Sequence, residues 1–143
     1  MPTYTLGNVA LGTNTDDAWT QPIELPFSLT TATGHSKIQI NTNGVVNDNQ
    51  SQTTIDVFNV DMDGLDGGIL AGTCSLNLRG VTKQAYFITW NNFKFYNQSN
   101  SIITMQLILV KNGDWGYTAI RNYQQISTSD ISEITYEIGR AHV

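Results

Sequence analysis

Three carboxylates crowd one short stretch of this chain, Asp61-Met62-Asp63-Gly64-Leu65-Asp66. Hard oxygen ligands on a tight, glycine-permitted turn could hold calcium. The EF-hand pattern fails here, because its fifth position is Leu65 and its twelfth is Gly72 where ligands would be needed. The competing reading is a turn whose aspartates bond their own backbone. That reading is adopted, with Asp61, Asp63 and Asp66 kept as the candidate calcium ligands. The two histidines, His35 and His142, stand far apart, with no further ligand, nucleophile or orienting acid at a useful spacing. The one cysteine, Cys74, lies on the apolar side of an alternating segment, where a buried, inert thiol is expected. A glycosidase would need two carboxylates across a cleft. Glu24, Glu133, Glu137 and the aspartates could pair in space, but no spacing singles out a pair. The sequence therefore predicts no catalytic residue and no cofactor other than that calcium ion, and the chain is read as non-enzymatic.

Aromatic residues offer a second kind of chemistry, since an indole combines a large apolar face with a polar handle. Trp90 alternates with Ile88 and is expected in the core, with Trp115 paired against it after a hairpin turn. Trp19 precedes the first strand and is the candidate for a glycan or partner contact, with packing against the core as its competing role. Asn49-Gln50-Ser51 and Asn97-Gln98-Ser99 match the glycosylation sequon. Both are read as chance matches in an Asn- and Ser-rich chain.

The elements that must position these residues read as strands. The chain has 143 residues, 40% apolar and only 13% charged, and its polarity comes from Asn, Gln, Ser and Thr. Such residues favour strands and turns over helix interiors. The net charge is −5 and the seven basic residues are scattered, so no basic stripe exists to neutralise a phosphate backbone and no nucleic-acid partner is expected. No segment approaches the roughly 20 consecutive apolar residues of a membrane-spanning helix, and no membrane insertion is expected. The start of the chain lacks the charged and apolar regions of a signal peptide, which points to a product made in a cytoplasm.

Period-two alternation dominates. Gln21 to Phe27 alternates and carries Pro22 and Pro26, as an edge strand or strand start does. Lys37 to Asn41 alternates and meets Asn43-Gly44, a two-residue hairpin signal. Thr54 to Asp61 reads as one strand. Ile69 to Leu78 places Leu70, Cys74, Leu76 and Leu78 opposite Thr73, Ser75 and Asn77. Gln84 to Trp90 sets Tyr86, Ile88 and Trp90 on one face, and Phe93 to Tyr96 continues it. Ile102 to Val110 reads as a central strand covered on both faces, and Asn112-Gly113 predicts a second hairpin of the same kind before Trp115 to Arg121. In the tail, Ile134, Tyr136 and Ile138 favour a strand, although Asp130 and Glu133 have capping-box spacing for a helix. The whole predicts a single all-β domain over 1–143, an antiparallel sandwich of NIDO-like or jelly-roll-like form.

Three blocks in this order carry a family likeness. They are Ile23-Glu24-Leu25-Pro26-Phe27 through Gly34 to Ile38-Gln39-Ile40-Asn41-Thr42-Asn43-Gly44; Val57-Phe58 to Asp61-Met62-Asp63; and Ala85 to Asn92 followed by Met105 to Leu109 and Asn112-Gly113. Together they resemble the NIDO-type domain, the extracellular sandwich module of nidogen, α-tectorin and related bacterial surface proteins. The likeness spans about 16–126. It departs from the pattern around His35-Ser36-Lys37, in the second block, and at both ends of the chain. The resemblance implies a sandwich with an adhesive or structural role and supplies no catalytic residue. Family members sit in long secreted chains. A short, acidic, Asn/Thr-rich version without a leader fits a virus particle instead. The expectation is a bacteriophage capsid decoration, cement or minor virion protein that contacts viral capsid or tail proteins as a homo-oligomer. The alternative is an adhesion or glycan-binding module of a cell-surface or tail protein.

Overall fold

The computed structural model describes residues 3–5, 19–29, 36–48, 54–64, 67–97, 100–113 and 116–127. Asp66, His35, His142, Trp115, the first sequon and the tail after residue 127 lie outside them. The chain is all-β, built from two antiparallel sheets. Strands β2 (Ile23–Glu24), β3 (Lys37–Ile40), β4 (Val45–Asp48) and β5 (Thr54–Asp56) form one sheet in chain order. The second runs β1 (Thr3–Thr5), β7 (Gly68–Leu78), β8 (Val81–Phe95), β9 (Ile102–Lys111), β10 (Tyr117–Ser127), with the short β6 (Met62–Asp63) paired to the far end of β8. Most neighbours are consecutive in sequence, so local hairpins generate the architecture, and β1 is the strand brought in from a distance.

The core lies between the sheets. Ile38, Ile40, Val46 and Ile55 from one side meet Ile88, Trp90, Met105, Leu107 and Leu109 from the other, all buried. The Trp90 indole N–H donates to the carbonyl of Asn41 at 2.9 Å and so ties the sheets together at their centre. Along one rim Phe58 packs edge-on against Phe95 and Tyr123, with centroids at 6.1 and 5.9 Å. There the Tyr123 hydroxyl donates to the Val57 carbonyl and Arg121 Nε to the Asp56 carbonyl. The β2 edge carries the exposed Pro22 and Pro26, as their missing N–H groups require.

Three sequence expectations change in the structure. The Asn43-Gly44 hairpin is not a two-residue turn. Asn41 N–H donates to Val45 O and Gly44 N–H to Asn41 O, a three-residue loop with Gly44 at φ 81°. The Asn41 side chain accepts from Asn43 N–H and the Asn43 side chain from Met62 N–H, so the loop is fixed by side chains and sits inside the protein. The strand expected over Thr54 to Asp61 stops at Asp56, because Val57 and Phe58 turn their N–H groups onto the Gly44 carbonyl. The Asn112-Gly113 connection is a five-residue loop closed by Asn112 N–H to Gly116 O. The two-residue turn with positive φ at both positions is Arg79-Gly80, at 52° and 81°.

Candidate functional site

Asp61 and Asp63 flank the buried Met62, so strand alternation sends both carboxylates away from the core. Asp63 stands directly opposite Lys94 in the ladder, and the Asp61 carbonyl accepts from Tyr96 N–H. The register thus sets a basic residue opposite one of the two described carboxylates. Gly64 lies on the Phe93 ring, and Gly67 crosses the Asn91 and Asn92 carbonyls so closely that a Cβ would collide with both. Packing against β8 accounts for both glycines. Among the described residues no group of three or more His, Cys, Asp or Glu side chains could hold a metal ion.

Trp19 is 42% exposed and bridges to Asn41 through its backbone. Its neighbour Thr20 is buried, with its hydroxyl accepting from Ile40 N–H. The indole is therefore presented from a fixed backbone. The structure does not bring Trp19 and the Asp61 loop together as one site through any described contact.

Tyr117 sits near Asp48 and Arg121 between the sheets. Its hydroxyl is pushed above its ordinary value by burial, with Arg121 lowering it and the Asp48 carboxylate raising it further. A phenol held protonated in this way is a hydrogen-bonding and packing group at neutral pH.

Cys74 is half-buried rather than buried, and it faces away from the core. Desolvation raises its thiol above the ordinary value, so the thiolate is disfavoured. Its position exposes the feature that sequence reading missed. The ladder between β7 and β8 runs unbroken from Gly68↔Asn91 to Leu78↔Val81. In its first half the core-facing residues are Ile69 and Ala71 on β7 with Tyr86, Ile88 and Trp90 on β8, all buried. Continued outward, the same face becomes Ser75, Asn77, Thr82 and Gln84, all exposed. The opposite face becomes Leu76, Leu78 and Val81, together with Lys83.

Among the described residues, pairing with β1 ends at Gly72 and pairing with β9 at Ala85. Among the described residues the segment Ser75 to Gln84 is thus a two-stranded arm whose strands pair with each other over about 15 Å. Its apolar side continues the outer face of the sheet, where Phe87, Ile108 and Ile120 line up across β8, β9 and β10 and are half-buried. Val81, at the tip, is 55% exposed. On that side Leu76 and Leu78 are half-buried and Val81 is exposed, aliphatic residues that gain from being seated on a protein surface.

Among the described residues no helix is long and apolar enough to cross a membrane. Comparison with protein-family models, with curated proteins and with solved structures gives no match.

Proposed function

We propose that this chain is a non-enzymatic structural protein of a virus particle, a capsid decoration, cement or minor virion protein that works through protein–protein contacts. The observation that carries the contact role is the change of polarity along the β7–β8 hairpin. Its apolar side moves from the core face in the body to the outer face in the arm. The scaffold behind the arm suits a passive mechanism, because the Trp90 to Asn41 bond and the buried Asn41–Gly44 loop fix the sheets against each other. Area buried between the arm and a neighbour stabilises the assembled state, which alone offers that contact. The virion assignment is supported by the low charge and the acidic, Asn- and Thr-rich composition. Kinship with the NIDO-type domain belongs to the same reading. It rests on the ordered blocks that form the β2 edge, the Asn41–Gly44 loop and the Trp90-Asn91-Asn92 segment.

Mass spectrometry of gradient-purified particles from the producing culture tests the assignment. The chain is expected at a fixed copy number relative to the capsid subunit, and its absence from particles overturns the virion role. The exposed Trp19 favours a second reading, a glycan-binding adhesion module. Binding on a glycan array that is lost in Trp19→Ala would establish it.

A further inference from the structure

We propose that Asn112-Gly113 is a self-modification site, where the chain converts its own Asn112 to aspartate and isoaspartate through a cyclic imide, with the Thr118 hydroxyl assisting. This goes beyond the contact role and uses no residue of the arm.

The chain holds two Asn-Gly pairs, and the fold treats them in opposite ways. A glycine after asparagine has no Cβ to keep its nitrogen away from the preceding side chain, so ring closure is open to both pairs by sequence. At Asn43-Gly44 both reacting groups are engaged. The Asn43 Oδ1 accepts from Met62 N–H at 2.9 Å, and Gly44 N–H donates to the Asn41 carbonyl at 3.2 Å. Gly44 is buried as well, so attack there must first break both bonds inside the protein. At Asn112-Gly113, in the β9–β10 connection, Gly113 is exposed at φ 55°, and a Cβ on it would meet nothing within 4 Å. Among the described residues no hydrogen bond takes the Gly113 N–H. The Thr118 hydroxyl accepts from Asn112 Nδ2 at 3.0 Å and donates to Asn112 Oδ1 at 3.1 Å. The second bond polarises the Cγ carbonyl and meets the negative charge that grows on Oδ1 as a nucleophile adds.

The step balances with water as its one co-reactant. Hydroxide takes the Gly113 amide proton, and the Gly113 nitrogen adds to Asn112 Cγ. The Cγ–Nδ2 bond breaks, and Nδ2 leaves as ammonia with a proton from water, which restores the hydroxide. Water then opens the imide. Cleavage at Cγ gives aspartate, and cleavage at the main-chain carbonyl gives isoaspartate. Nothing is oxidised or reduced. Either product adds one negative charge to a chain that carries −5. Isoaspartate also lengthens the backbone by a methylene inside the loop that Asn112 N–H closes on Gly116 O.

The test incubates the full chain between about pH 7 and about pH 9 and follows both sites by mass spectrometry of tryptic peptides, against a zero-time digest. Cleavage after Lys111 and Arg121 places Asn112 in peptide 112–121, whereas Asn43 falls in peptide 38–79. Asn112 is expected to convert faster as pH rises, and at least about tenfold faster than Asn43. Thr118→Val should slow Asn112 about tenfold, and Thr118→Ser, which keeps the hydroxyl, should react at the wild-type rate. In urea the two sites should converge on one rate, since the fold alone separates them. An intact Asn112, or an Asn43 that converts as fast in the folded chain, overturns the proposal. So does a folded Thr118→Val that reacts at the wild-type rate, or a Thr118→Ser as slow as Thr118→Val. If Thr118→Val fails to fold, the urea comparison decides, and a preference for Asn112 that persists in urea overturns the proposal.

Discussion

Replacing Gly44 by alanine should damage this fold far more than the same change at Gly80, although both glycines hold φ 81°. A non-glycine residue in the left-handed region costs about 1–2 kcal/mol at either site. At Gly80 a Cβ meets nothing within 4 Å, so that is the whole cost. At Gly44 it meets Met105 Cε at 2.7 Å, the Phe58 carbonyl oxygen at 3.0 Å and Met62 Cε at 3.2 Å. The methionine ends can swing aside. The Phe58 carbonyl belongs to the backbone segment whose N–H groups bond the Gly44 carbonyl, so moving it disturbs the bonds of Val57 and Phe58 at 2.9 and 3.3 Å. Overpacking of this kind adds about 1–3 kcal/mol. Gly44→Ala is therefore expected to lose about 2–5 kcal/mol and Gly80→Ala about 1–2 kcal/mol. At about 2–4 °C per kcal/mol for a chain near this size, the melting temperatures should fall by about 10 °C and about 4 °C. Thermal unfolding followed by near-UV circular dichroism measures both. Equal losses at the two sites would refute a buried turn at Gly44.

Three further outcomes are expected. Trp90→Phe removes the donor to Asn41 and shrinks a fully buried ring, and should cost about 2–3 kcal/mol in urea unfolding with no change in secondary structure. The Tyr117 hydroxyl has its folded-state value raised, so its contribution is whole below the unfolded value and lost as pH rises through the folded one. Above about pH 10 the wild type should lose stability faster than Tyr117→Phe, measured as unfolding midpoint against pH. Calcium and chelator should give the same melting temperature, because Lys94 stands opposite Asp63 in the ladder. A rise of several degrees with calcium would establish Asp61, Asp63 and Asp66 as a metal site.

Much of the fold is legible in the residues. Pro22 and Pro26 mark an edge, Tyr86, Ile88 and Trp90 mark a core face, and Ile102 to Val110 marks a long strand, because each follows from local alternation and local backbone chemistry. Turn type is less legible. Asn43-Gly44 spells a two-residue hairpin, but the Asn43 side chain is spent on Met62 N–H, a partner 19 residues away that no local pattern reveals. The face of β7 is least legible of all. Leu70, Cys74, Leu76 and Leu78 spell the better apolar face, yet the core takes Ile69 and Ala71 instead. Periodicity states which residues share a side and leaves open which side meets the other sheet, and that choice is made by the buried partners on β8. The arm stayed hidden for the same reason. It becomes visible only when the register shows where β1 and β9 stop.

The most direct test of the contact role is cosedimentation of the purified chain with virus particles of the producing culture. Three proteins are compared: wild type, Leu78→Ser with Val81→Ser, and Trp19→Ala. The wild type and Trp19→Ala should pellet with the particles while the arm variant stays in the supernatant. Equal pelleting of the wild type and the arm variant, or loss in Trp19→Ala alone, would contradict a contact made through the arm.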